Sequence, residues 1–181
     1  ATQLILVAMA GRGSGGIDIT NNGTVGQPLA FNVGNAISIN STGAFTLRST
    51  VSGNVVSPQT QISGAFGIAG GADKQTMADT TVIDSAVLEL TVTNNTVTSQ
   101  AASGIRFLAN SSGTLRARIT GNTIATPLDQ SGQSGIRIDS GTGSLTAVDT
   151  NVCLDLTNNS TSGSVNSAFG GTAPGIALRK Q

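Results

Sequence analysis

Asp73, Asp79 and Asp84 crowd the stretch between Gly70 and Ala86, with Lys74 beside them. Three carboxylates in one loop have the hard-oxygen chemistry of a calcium site, but their spacing fits no calcium-loop motif, and solvated loop charge is the plain reading. The other acids, Asp18, Glu89, Asp129, Asp139, Asp149 and Asp155, are scattered along the chain. Polysaccharide lyases and hydrolases need carboxylates grouped on one face to hold a metal or serve as acid and base. Cys153 lies between Asp149 and Asp155, yet the chain contains no histidine. A cysteine nucleophile would therefore lack its base, and a free surface thiol or a loop-covered residue is expected. The cluster Gly11-Arg12-Gly13-Ser14-Gly15-Gly16 invites comparison with a phosphate-cradling loop. No Lys-Ser/Thr follows it, so it reads as a flexible hinge or turn. Together these residues predict no enzyme activity, no cofactor and no metal.

What recurs instead is asparagine, at the ends of short strands. Leu47 to Asn54, Leu88 to Asn95, Leu115 to Asn122 and Val152 to Asn159 align on their last residue. Leu47, Leu88, Leu115 and Val152 then share one inward position, and Val51, Val92, Ile119 and Leu156 another. Arg48, Glu89, Arg116 and Cys153 fall between them on the outward side, followed by Thr50, Thr91, Arg118 and Asp155. Period-two alternation across four copies predicts half-buried strands, since a slip of one residue would place charges inside. Gly53, Asn94, Gly121 and Asn158 suit a left-handed corner. The next residues, Asn54, Asn95, Asn122 and Asn159, are placed to stack as a ladder of amides. Ser52, Thr93, Thr120 and Thr157 form an outward hydroxyl column of the kind a flat ice-binding face uses, but Arg118 and Asp155 interrupt its neighbour.

A second strand type opens with Gly-Ile or a close variant: Ile17-Asp18-Ile19, Ile37-Ser38-Ile39, Ile68, Ile105, Ile136 and Ile176. Phe107 and Ile138 fall on its inward side. Arg106 and Arg137 fall outward in one column, expected to cover the outer face and pair with loop acids. Recurrence of the whole unit reads as a stacked-coil solenoid.

Charged residues make up 10% of the 181 residues and their net charge is +0, which excludes an electrostatic footprint for nucleic acid. One cysteine excludes an intrachain disulfide. Gly and β-branched residues interrupt every candidate helix. The expected division is an apolar strand and hinge over 1–15, then one β domain over 16–181. Leu4-Ile5-Leu6-Val7-Ala8-Met9 is too short to span a bilayer, so no transmembrane segment is expected. As a continuous apolar run it calls for burial on both faces.

The G-I-x-I … G-N-x-I pattern, carried by Gly104-Ile105, Gly135-Ile136 and Gly121-Asn122, resembles the right-handed parallel β-helix repeat of the pectate-lyase-like fold. More narrowly it is similar to the Gly/Thr/Asn-rich strand repeats of bacterial surface proteins. The resemblance spans roughly Gly16 to Lys180 and implies an all-β solenoid of about five coils. It also implies a secreted, cell-surface setting. Pectate lyases set an arginine base beside calcium-binding aspartates on adjacent strands, and Arg106 and Arg137 lack such partners in the sequence. The expectation is thus a non-enzymatic building block of an extracellular fibre, stalk or adhesin. The alternatives are a polysaccharide-active β-helix, an ice-binding protein or an autotransporter-type passenger presenting loops to host or surface ligands. Self-association head to tail is expected through two apolar ends. One is Leu4, Ile5, Leu6, Val7, Ala8 and Met9, reaching a neighbour from the glycine hinge; the other is Ile176 and Leu178.

Overall fold

The computed structural model describes residues 4–30, 34–57, 65–73, 85–98, 100–110, 112–128, 133–141, 150–166 and 171–180. All regular structure among them is strand. In chain order the strands are β1 (Ile5–Met9), β2 (Arg12–Thr20), β3 (Leu29–Ala30), β4 (Ile37–Thr42), β5 (Ala44–Ser52) and β6 (Val55–Ser57). Then come β7 (Ile68–Asp73), β8 (Val87–Thr93), β9 (Thr96–Val97), β10 (Ile105–Ala109), β11 (Thr114–Thr120) and β12 (Thr123–Ile124). The last are β13 (Ile136–Ser140), β14 (Asn151–Thr157), β15 (Ser160–Thr161), β16 (Val165–Asn166), β17 (Gly171–Thr172) and β18 (Ile176–Lys180). Three parallel sheets hold all but two of these strands. The first runs β1-β4-β7-β10-β13-β18, the second β14-β11-β8-β5-β2, and the third β15-β12-β9-β6-β3. The chain therefore enters the sheets in turn and returns one tier further along, a solenoid-like stack. β16 and β17 form a small antiparallel pair outside it.

The second sheet carries the alternation in its plainest form. Leu47, Leu88, Leu115 and Val152 are register partners, as are Val51, Val92, Ile119 and Leu156. Ile19 extends the latter column by pairing with Val51. Leu47, Val51, Leu88, Val92, Leu115 and Ile119 are fully buried. On the first sheet Ile5, Ile37, Ile68, Ile105, Ile136 and Ile176 make one continuous column. Phe107 is fully buried in the next inward column beside Ile138. Each enclosed Val, Leu or Ile contributes roughly 1.5–3 kcal/mol, so these columns supply most of the cohesion between tiers.

The Gly-Ile signature has a spatial cause. A Cβ on Gly67 would overlap Val97, one on Gly104 would overlap Ile124, and one on Gly135 would overlap Thr161. These three partners occupy one position on β9, β12 and β15. A side chain of the third sheet thus fills the space beside each glycine, and the isoleucine that follows turns into the core.

Three expectations change. Ile17-Asp18-Ile19 belongs to the second sheet, with Ile17 opposite Ser49, and Ile5 heads the Gly-Ile column instead. Arg12 to Gly16, expected as a hinge, is the first half of β2 and pairs with Ala44 to Arg48. The reason lies across the sheet: Cβ atoms on Gly13 and Gly15 would sit 3.5 and 3.3 Å from the Phe45 ring, so the glycines leave room for it. The strand expected to be free, Leu4 to Met9, is likewise tied within its own chain. Its β1 portion pairs with β4 from Ile5↔Ile37 to Met9↔Ser41. Only Val7 of it is buried, and Leu6 points outward at 56% exposure, so the run is not enclosed on both faces. An edge strand has a neighbour on one side only, which leaves its outer face and free edge to solvent.

Candidate functional site

The asparagine column is a hydrogen-bonded spine. Asn54, Asn95 and Asn122 are essentially inaccessible to solvent, and Asn159 is half-buried. Each side-chain Nδ2 donates to the Oδ1 of the next residue in the column: Asn54 to Asn95, Asn95 to Asn122 and Asn122 to Asn159, all at 2.9 Å. The backbone N–H of each donates to the same Oδ1 at 3.0–3.1 Å. The second Nδ2 hydrogen goes back to a carbonyl of the preceding tier, Ile19, Val51, Val92 or Ile119. A fifth member, Asn22, joins at the first tier with the same pair of bonds to Asn54. Its signal was in the sequence, since Thr20-Asn21-Asn22 repeats Thr93-Asn94-Asn95. The preceding residues Asn21, Gly53, Asn94, Gly121 and Asn158 all have φ between 54° and 67°. That left-handed corner, which Gly and Asn tolerate, turns each amide into the stack.

The two ends of the stack differ from its middle. Ile176 and Leu178 occupy core positions yet are 40% and 61% exposed, because β18 has no strand beyond it among the described residues. Val152, Leu154 and Leu156 of β14 are only half-buried, whereas their partners Leu115, Ala117 and Ile119 are buried. At the opposite end Ile5, Ile17, Leu29 and Phe45 are half-buried, and Leu4 and Met9 are exposed. The spine has matching ends. Among the described residues nothing donates to Asn22 Oδ1, and the Asn159 N–H, which in every earlier tier donates onward, has no acceptor.

The outer face of the second sheet carries an open groove of about 640 Å³ along the stack. Its walls are the two outward columns, Gly16-Arg48-Glu89-Arg116-Cys153 and Asp18-Thr50-Thr91-Arg118-Asp155. Both oxygens of Glu89 are occupied, Oε2 by Arg48 Nε at 2.7 Å and Oε1 by Arg116 Nη1 at 3.0 Å. Arg118 meets Asp155 at 3.5 Å. Asp18, Glu89 and Asp155 fall on every second tier, so successive acids are separated by about 10 Å along the stack at the usual strand spacing. Cys153 is an exposed free thiol at the end of this groove. Thr120 and Thr157 hydroxyls bond to one another within the hydroxyl column.

On the first sheet the two stacked arginines do find an acid, though not in a loop. Arg106 and Arg137 are register partners, and so are Asp139 and Arg179. Asp139 accepts from Arg137 Nε at 2.8 Å, Arg179 Nε at 2.9 Å and Arg106 Nη2 at 3.2 Å. Its side chain is fully covered. Burial by itself raises the carboxyl's pKa, but hydrogen bonds and charge from Arg137 and Arg179 outweigh it and hold Asp139 below its ordinary 3.8. A lowered folded-state pKa means that stability is present above the ordinary value and is lost as pH falls through the lowered one. Denaturant midpoints measured against pH should therefore drop for the native protein in acid. Asp139→Asn should be weaker at neutral pH and converge with the native curve at the acid end; parallel curves would rule out the carboxylate as the linked group.

The proposed calcium ligands Asp79 and Asp84 lie outside the described residues, and Asp73 accepts from Asn110 Nδ2 at 3.2 Å. No cluster of three metal-ligating side chains occurs among the described residues. No helix among them is long and apolar enough to cross a membrane. The chain matches no protein-family model, no curated protein and no solved structure at a significant level.

Proposed function

We propose that the chain is a non-enzymatic structural element, a subunit or segment of an extracellular fibre, stalk or adhesin at the cell surface. In this reading it is a right-handed parallel β-helix of about five coils, and further tiers continue it end to end. The observation that carries the reading is the pair of open ends. Core-position side chains, Ile176 and Leu178 above all, are exposed at the end of the stack, whereas their counterparts in the inner tiers are covered. An apolar layer beside free strand edges favours another parallel tier over solvent. The spine supports the same direction of growth, because its acceptor end and its donor end are complementary. A contact between unlike ends does not close on itself, so it propagates as a filament. The groove on the second sheet supports a catalytic reading less well, since arginines already occupy both oxygens of its central carboxylate.

Leu178→Glu tests the reading. The residue is largely exposed, so the change should cost no more than about 1 kcal/mol of fold stability. It should shorten or abolish filaments in electron micrographs and lower the sedimentation coefficient, with an unchanged circular dichroism spectrum. Undiminished assembly by the variant would defeat the proposal. So would a native protein that stays monomeric and cleaves a polysaccharide.

A further inference from the structure

The outer face of the first sheet carries three guanidinium groups on one carboxylate. Arg106, Arg137 and Arg179 come from β10, β13 and β18, and Asp139 is the acid they share. Three positive charges against one negative leave an excess of two. Asp73, one outward position further along β7, accepts from Asn110, and the outward positions in the arginines' own two columns are neutral: Ser38, Ala69, Asn40, Gly71, Leu108 and Ala177. Nothing among them offsets that excess.

The arginines are also fixed in place. Asp139 takes the Nε hydrogen of all three, and Arg106 further lies over the Phe66 ring at 5.0 Å from its centroid. Such anchoring pays in advance much of the entropy that a long side chain loses on binding. Arg137 and Arg179 meet Asp139 through Nε, and no acceptor among the described residues takes hydrogen from their Nη atoms. Side-chain exposure is 43% at Arg179, 29% at Arg106 and 19% at Arg137, so the cluster meets solvent at Arg179 above all. Preorganised guanidinium forks with spare donors match the oxygens of a carboxylate, sulfate or phosphate group.

The geometry points to an oxyanion-binding site formed by Arg106, Arg137 and Arg179, with Asp139 as the positioning residue that clamps them. Its ligand is an anionic oxygen group, free in solution or borne by a polymer. The site lies on the outer face of the first sheet across its last three strands, and Arg179, on β18, borders the end where a further tier would add.

The test follows the arginine Nε–H resonances of the soluble protein by NMR at constant ionic strength. Inorganic phosphate, dextran sulfate and neutral dextran are titrated in turn. Saturable shifts at Arg106, Arg137 and Arg179, absent with neutral dextran, are expected. Tighter binding of dextran sulfate than of phosphate assigns a polymer-borne group, and equal binding a small anion. Arg179→Gln should weaken binding about tenfold, as expected for loss of one charge-assisted contact. Arg118→Gln, on the second sheet, should leave it unchanged. Absence of saturable shifts at the three arginines overturns the proposal, as do equal shifts at Arg118, which would mean diffuse screening. The per-residue shifts of the native protein decide the matter even if a variant folds poorly.

Discussion

Val92→Asp abolishes folding, while the same substitution one residue later, Thr93→Asp, leaves a folded protein. Val92 is fully buried between Val51 and Ile119 in the central column of the second sheet. A carboxylate there has no partner and no water. Whether it stays charged or takes a proton, the penalty adds to the lost burial of the valine and reaches several kcal/mol. Net stabilities of about 5–15 kcal/mol leave little room for that in a fold where each tier is the floor of the next. Thr93 points outward between Ser52 and Thr120 and is half-exposed. Aspartate is a poor strand former, so a loss of up to about 1 kcal/mol is expected there. Circular dichroism and soluble yield read both outcomes. Comparable tolerance at the two positions would mean that the register of the second sheet is wrong.

Asn95→Ala should cost about 4 kcal/mol, an unusually large loss for deleting one small polar side chain. The substitution removes four hydrogen bonds at once: two accepted from Asn54, one donated to Asn122 Oδ1 and one to the Val51 carbonyl. Asn54 is fully buried, so its N–H and amide are stranded away from water rather than returned to it. Stranded donors carry their full desolvation cost, about 1–3 kcal/mol each, which is why the loss exceeds the net worth of the bonds. Asn159→Ala offers the internal comparison. Asn159 makes three such bonds and is half-buried, so its loss should be clearly smaller. Denaturant unfolding of the two variants provides the numbers. Equal losses, or a loss at Asn95 below about 1 kcal/mol, would remove the spine from the list of stabilising features.

The columns of the second sheet were legible in the sequence because two local signals coincide there. Leu88, Leu90 and Val92 alternate with polar residues, and Asn94-Asn95 marks where they stop; Leu115 to Asn122 repeats both. The third sheet was not legible, because strands as short as Thr96–Val97 and Thr123–Ile124 cannot display a period. Glycine hid β2 for a related reason. Gly13 and Gly15 have no side chains to alternate, and what makes them strand is the Phe45 ring across the sheet. Ile17 followed Gly16 and so imitated the Gly-Ile signature, although Asn21-Asn22 downstream placed it on the other sheet. Asp139 was visible as an outward residue between Ile138 and Ser140. Its meeting with Arg106 and Arg179 spans 33 and 40 residues, and only strand register brings those together.

The asparagine spine also gives the molecule an electrical direction. Every side-chain amide in it points the same way, from Asn22 Oδ1 at one end to the Asn159 nitrogens at the other. If each amide carries a dipole like that of a peptide unit, about 3.5 D, the five add head to tail as they do in a helix. Each one also polarises the next, so an added tier strengthens the bonds already made. Formal charges at the positive end are mixed, since Arg179 is paired with Asp139 and Asp155 stands on β14 near Lys180's end of the stack, so the direction comes from the amides themselves. A chain whose net charge is +0 thus has two unlike poles. In the proposed end-to-end assembly, two copies meeting like pole to like pole would set donor against donor or acceptor against acceptor, whereas a head-to-tail approach would set the donor end of one spine against the acceptor end of the next.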